Sequence, residues 1–147
     1  MDAEAHREVA AATYQRCWEL LEQPVRSKHD DVDLLTNAFA SRFHWGRVGG
    51  LQEWIIGDWM VSRAAAATGQ GQLAVWFAVR ADAATDEADV ADWLRASTAE
   101  GVARAYGASG DAARRDLWIR KAQALVDVIA DAEDRELIAS QLASVPR

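Results

Sequence analysis

The stretch VADWLRASTAEGVARAYGASGDAARRDLWIRKAQALVDVIA, Val90 to Ala130, decides the fold. Before its centre, Val90, Trp93, Leu94, Ser97, Gly101, Val102, Ala105 and Tyr106 recur at helical spacing; after it, Trp118, Ala122, Leu125, Val126 and Ile129 do the same. That period belongs to two amphipathic helices. Ser109-Gly110-Asp111 lies between them, with a glycine to stop the first helix and an aspartate to cap the second. Gly101 stands mid-helix at a cost of ~1 kcal/mol relative to alanine, which a close helix crossing would explain. The same grammar occurs earlier, from Trp54 to Ala84, around the turn Thr68-Gly69-Gln70-Gly71. Two tandem helical hairpins are the local logic of an α-helical repeat.

Working outward, residues 4–22 predict a first helix with a stripe of Val9, Thr13, Cys17, Leu20 and Leu21, ended at Pro24. A second helix is expected to be capped by Asp30 or Asp31 and to run to Trp45. Its main stripe is Val32, Leu35, Phe39 and Phe43, widened by Leu34, Ala38 and Trp45, and Gly46, Gly49 and Gly50 close it. Helix three, 51–68, places Leu51, Trp54, Ile55, Trp59, Ser62 and Ala66 on one face. Asp58 falls beside that face and needs a partner, for which Arg42 or Arg47 is in reach, because an unpaired buried charge is costly. Helix four covers 72–84, and Thr85 or Asp86 is the expected cap of helix five. The acids Asp131, Glu133, Asp134 and Glu136 open a last helix, where they suit the helix dipole. Its narrow stripe of Leu137, Ile138, Leu142 and Val145 suits a terminal cap. The expectation is one all-α domain over residues 1–147, with seven helices in antiparallel hairpins.

Composition agrees. About a fifth of the chain is alanine, the best helix former, and there are only 2 prolines. The net charge of −7 argues against nucleic acid and against an anionic membrane surface, since both need a basic patch. The cluster Arg114, Arg115, Arg120 and Lys121 is interrupted by Asp116 and reads as a solvated face. No apolar run approaches the ~18 residues of a membrane span, and the polar start Met1-Asp2-Ala3-Glu4 lacks the features of a signal peptide. A cytoplasmic location is therefore expected. Cys17, the single cysteine, sits among Tyr14, Trp18, Leu20 and Leu21 and reads as a buried small hydrophobe.

The chain resembles a tetratricopeptide-type repeat protein. In the second hairpin Tyr106, Gly110-Asp111 and Ala122 match the late aromatic, the turn and a small residue of that pattern; in the first, Gly69, Ala74 and Ala81 match the turn glycine and two small residues. Ala65 and Arg115 depart from it. The turn glycines stand 41 residues apart against the usual ~34, which lengthens the helices by about two turns. The segment Phe43-His44-Trp45-Gly46-Arg47-Val48-Gly49, with Gly57-Asp58-Trp59 and Ser62-Arg63, is also similar to small bacterial repeat-type proteins of unassigned function. The resemblance implies hairpins stacked as a right-handed superhelix, closed by a C-terminal capping helix.

Catalytic and metal motifs are weak. The only histidines, His6, His29 and His44, have no glutamate three residues before them, and no His-x-x-x-His or Cys-x-x-Cys occurs. No metal and no cofactor is expected, and no catalytic residue is assigned. The seven tryptophans mostly fall on the helical stripes and read as core. The candidate binding groove is His44, Trp45, Glu53, Trp54, Asp58, Trp59 and Arg63, where aromatic and charged side chains meet on helices two and three. The leading expectation is a non-catalytic module that binds a protein or peptide segment. The alternatives are a small-molecule-binding or enzymatic domain using His44, Asp58 and Arg63, and a self-associating structural homodimer.

Overall fold

A computed structural model describes all residues from Met1 to Arg147. Seven helices and no strand follow in order: α1 (Ala3–Leu21), α2 (Lys28–Val48), α3 (Leu51–Ala67), α4 (Gly71–Ala84), α5 (Asp92–Ser109), α6 (Ala112–Asp127) and α7 (Ala132–Ala143). Local chemistry sets the ends. Asp2 accepts from the Ala5 N–H at 2.8 Å, Asp111 from Arg114 at 3.0 Å, and Asp131 from Asp134 at 2.9 Å. Gly110 closes α5 at φ 83°, and Gly69 follows α3 at φ 77°, a region that costs other residues strain.

Helices α1–α2, α3–α4 and α5–α6 pair as hairpins, and each hairpin packs on the next through α2–α3 and α4–α5. Odd-numbered helices also touch one another along the series α1–α3–α5–α7, whereas at backbone level α2, α4 and α6 meet only their odd-numbered neighbours. The odd helices thus form one layer and the even helices another. Helix α3 meets α1, α2, α4 and α5, and α5 meets α3, α4, α6 and α7, so these two helices are buried most completely. Trp59, Ile55, Met60 and Leu94 centre one core, with Leu20 and Leu34; Val126, Ile129, Ile138 and Leu142 centre a second under α7.

Four expectations are corrected. Ser27, not Asp30 or Asp31, caps α2: its hydroxyl accepts from Asp30 N at 3.1 Å, and the Asp30 carboxylate accepts from Ser27 N at 2.9 Å. This reciprocal box starts the helix several residues early. Helix α5 starts at Asp92 rather than after Thr85, because the Thr85 hydroxyl turns back to the Asp82 carbonyl at 2.6 Å and finishes α4 instead. The face of α2 is rotated. Leu34, Ala38 and Ser41 are buried, while Val32, Phe39 and Phe43 are exposed. Small residues let α1 approach, and Ser41 donates to the Ala10 carbonyl at 3.0 Å, so the bulky aromatics are left outside. Finally, the tryptophans do not all enter the core: Trp59 is buried, but Trp54 is 49% and Trp76 68% exposed.

Candidate functional site

A cavity of about 420 Å³ opens on the odd-helix layer. Every odd helix contributes to it: Tyr14 and Trp18 from α1, Trp59 from α3, Trp93 from α5, and Leu137 and Gln141 from α7. A second cavity of about 370 Å³ shares Trp18 and Glu22 with the first and continues toward Arg26, Arg63 and Arg104. Together they make one surface with an aromatic end and a cationic end.

Its walls are fixed by packing. The Trp59 indole donates to the Ser97 carbonyl at 3.1 Å. It lies so close to α5 that a β-carbon at Gly101 would stand 3.1 Å from the ring, which is the close approach expected for that mid-helix glycine. Trp18 sits 5.9 Å from Trp59 and 6.4 Å from Tyr14, centroid to centroid, in tilted and edge-on arrangements that favour aromatic pairs. Arg63 places its guanidinium 5.6 Å from the Trp18 ring and 5.8 Å from that of Trp59. Glu100, fully buried, faces Arg63 at 3.6 Å and Arg104 at 2.7 Å. Arg104 also donates to the Gln141 carbonyl and the Ser144 hydroxyl, each at 2.8 Å, and so fastens α7 to α5.

Burial governs the electrostatics. It raises the Tyr14 phenol above its ordinary value, so that group stays protonated at neutral pH. It lowers Arg63, with Arg104 acting in the same direction and Glu100 against both. The Cys17 thiol is pushed up to about 12, again chiefly by burial, in line with the inert small hydrophobe expected there. Neither cavity is lined by a histidine or cysteine. The arrangement can grip an apolar side chain between rings and hydrogen-bond the flanking chain.

The seven residues proposed from sequence separate into three places. Trp59 lines the aromatic cavity and Arg63 the cationic one. Asp58 lies between α2 and α4. The Arg42 side chain bonds one of its oxygens and Arg80 the other, at 2.8 Å from Arg80. The partner expected from α2 is therefore present, and Arg80 joins it. His44, Trp45, Glu53 and Trp54 gather at the α2–α3 turn. There the Trp54 indole donates to the Trp45 carbonyl at 3.2 Å, Glu53 accepts from Gly50 N at 2.9 Å, and His44 meets His6 of α1. None of the four main cavities holds more than one of the seven.

Comparisons with protein-family models, with curated proteins and with solved structures find no match. The geometry therefore stands by itself. Trp93 and Leu137 line the groove, although their spacing placed them on core stripes, and so does Trp18, which was expected in the core with the other tryptophans. Trp18, Trp59 and Trp93 fall on successive odd-numbered helices, but Trp54 shares α3 with Trp59, so position along the chain alone does not choose between them. No helix is long and apolar enough to cross a membrane.

Proposed function

We propose that this protein is a tetratricopeptide-like module whose hairpins stack as a short right-handed superhelix, and that it binds an extended segment of a partner protein without catalysing a reaction. The observation that carries this reading is the aromatic cavity built jointly by α1, α3, α5 and α7. A groove spanning every repeat of an array suits a chain-like ligand that runs across the repeats. Tyr14, Trp18, Trp59 and Trp93 supply the rigid aromatic area that anchors such ligands.

The test is a random-peptide phage selection against the wild type, followed by binding of the enriched peptides to Leu137→Arg. Leu137 is exposed at the cavity mouth, so the substitution blocks the groove and spares the core. Peptides that bind the wild type and fail on a variant with unchanged circular dichroism support the reading. Peptides held equally by both proteins sink it.

Self-association is the second reading, supported by exposed aromatics on the even helices. Phe39, Phe43 and Trp76 stand in solvent on α2 and α4, with Arg42 5.3 Å from the Phe77 ring and Arg47 5.0 Å from that of Phe43. Aromatic residues and arginine are the types enriched at interfaces. Light scattering of wild type beside Trp76→Glu decides it: a wild-type dimer converted to monomer supports this reading, and a wild-type monomer removes it.

A further inference from the structure

The two cavities of the odd-helix layer differ in how their charges are satisfied. At the cationic end every arginine already faces a carboxylate of the chain. Arg26 meets Asp31 at 2.9 Å, and Arg63 and Arg104 meet Glu100 at 3.6 and 2.7 Å. At the aromatic end the charged lining residues are Glu22 and Asp134, and neither takes part in an ion pair. The nearest cation in sequence to Asp134 is Arg135, which donates to the Ile129 carbonyl at 2.7 Å instead. Glu22 also stands against the helix dipole. It is the C-cap of α1, whose last turn holds no basic residue, so its charge adds to the partial negative charge of that helix end. The unsatisfied charge of the groove is therefore negative, and it lies at the aromatic cavity.

We propose that the segment bound in this cavity is basic, and that it inserts an arginine or lysine side chain whose stem lies against the aromatic walls and whose head meets Glu22 and Asp134. The inference rests on the peptide-binding reading of the same cavity and names the chemistry of its ligand. Tyr14, Trp18, Trp59 and Trp93 wall the site. Such rings suit the methylenes of a long basic side chain, and their faces attract its charge. Arg63 of the chain itself uses two of them in that way, at 5.6 Å from the Trp18 ring and 5.8 Å from the Trp59 ring. A guanidinium adds planar hydrogen bonding to a carboxylate.

The other charge types are disfavoured. An acidic anchor would meet like charge at Glu22 and Asp134, and a chain of net charge −7 repels an acidic segment on approach. At the cationic end it would have to displace Asp31 or Glu100 from arginines they already hold. A neutral anchor would fill the apolar space and leave both carboxylates without a counter-ion.

The experiment uses the random peptides selected on wild type and released by Leu137→Arg. Each is expected to contain a basic residue whose replacement by norleucine, which keeps an apolar stem and removes the charge, weakens binding by about tenfold or more. On Glu22→Gln with Asp134→Asn the same replacement is expected to change little, because the charge it removes has no partner there. Glu8→Gln with Glu87→Gln removes two exposed acids outside the cavity and is expected to bind like wild type. Should the Glu22 and Asp134 double variant lose its circular dichroism, Glu22→Gln alone decides, since that residue is exposed at the end of α1. Leu137-dependent peptides without a basic residue overturn the basic anchor and leave the peptide groove standing. So does a norleucine effect that is absent on wild type or equal on wild type and the Glu22 variant. A matching loss in the Glu8 and Glu87 control overturns it as well, because net charge alone then attracts the peptides. If no peptide depends on Leu137, the groove itself fails and the anchor fails with it.

Discussion

Two carboxylates in this protein stand in the same relation to a pair of arginines, on opposite layers of the fold. Asp58 joins Arg42 and Arg80 on the even-helix side, and Glu100 joins Arg63 and Arg104 on the odd-helix side. The carboxylates differ little in burial, at 7% and 0% exposure. Their partners differ greatly: the Arg80 side chain is 59% exposed, whereas those of Arg63 and Arg104 are 15% and 13% exposed. If Asp58 lost its charge, Arg80 could return to water. If Glu100 lost its charge, two guanidiniums would be stranded among packed rings and backbone. A buried ion pair is thus made indispensable by the confinement of its partners more than by its own attraction.

The largest predicted effect follows. Glu100→Gln should destabilise by about 3–5 kcal/mol, the cost of removing one partner from a buried pair. That is a large share of the roughly 5–15 kcal/mol of a typical domain. Cys17 reports it directly. Its thiol, buried and pushed up to about 12, should resist alkylation at pH 8 in wild type and label rapidly in the variant. Replacing both ends of the contact, as Glu100→Met with Arg63→Met, should recover part of the loss in urea unfolding. An apolar pair in the site of a buried ion pair is often tolerated. Equal stability of the single and double variants would mean that Arg63 is indifferent to its counter-ion.

Asp58→Asn should cost less, about 1–2 kcal/mol, because Arg80 swings outward and Arg42 keeps its place against the Phe77 ring. Urea unfolding of the two single variants side by side tests the comparison. An Asp58→Asn loss as large as that of Glu100→Gln would show that exposure of the partners is not what separates the two sites.

The sequence revealed one of these clusters and concealed the other for the same physical reason. Asp58 flanks an apolar stripe on a helix whose polar side is still recognisable, so the demand for a cation from α2 could be read from spacing. Glu100 lies on α5, which is packed by α3, α4, α6 and α7 and buries half its residues, among them Ala96, Thr98, Ala99, Gly101 and Ala103. A helix enclosed on all sides has no polar face against which a buried acid stands out. Seven helices and the turns at Gly69 and Gly110 were legible because periodicity and left-handed glycine are local signals. Which tryptophans meet in a groove was not legible. That depends on helix rotation, and α2 shows how a few small residues, Ala38 and Ser41, override the stripe suggested by Phe39 and Phe43.

A third carboxylate sharpens the comparison at its weak end. Asp82 is half-buried between α4 and α5 and has a hydroxyl, not an arginine, against it: Thr98 donates at 2.9 Å. Burial lifts its pKa above the ordinary aspartate value, with Asp86 adding to the rise and the Thr98 bond, Lys121 and Arg95 opposing it. The sign is opposite to that of a clamped acid. The folded chain favours the protonated form, so the contribution of Asp82 to stability is complete below about pH 3.9 and is lost as pH rises through its folded value. At pH 7 the wild type carries a half-buried charge that asparagine would not. Asp82→Asn should therefore be slightly more stable than wild type at pH 7, by less than about 1 kcal/mol, and this advantage should close by pH 4. Urea unfolding at both pH values measures it. A variant less stable than wild type at pH 7 would mean that Arg95 and Lys121 act on Asp82 as Arg63 and Arg104 act on Glu100, and the distinction between clamped and unclamped acids would fail at this position.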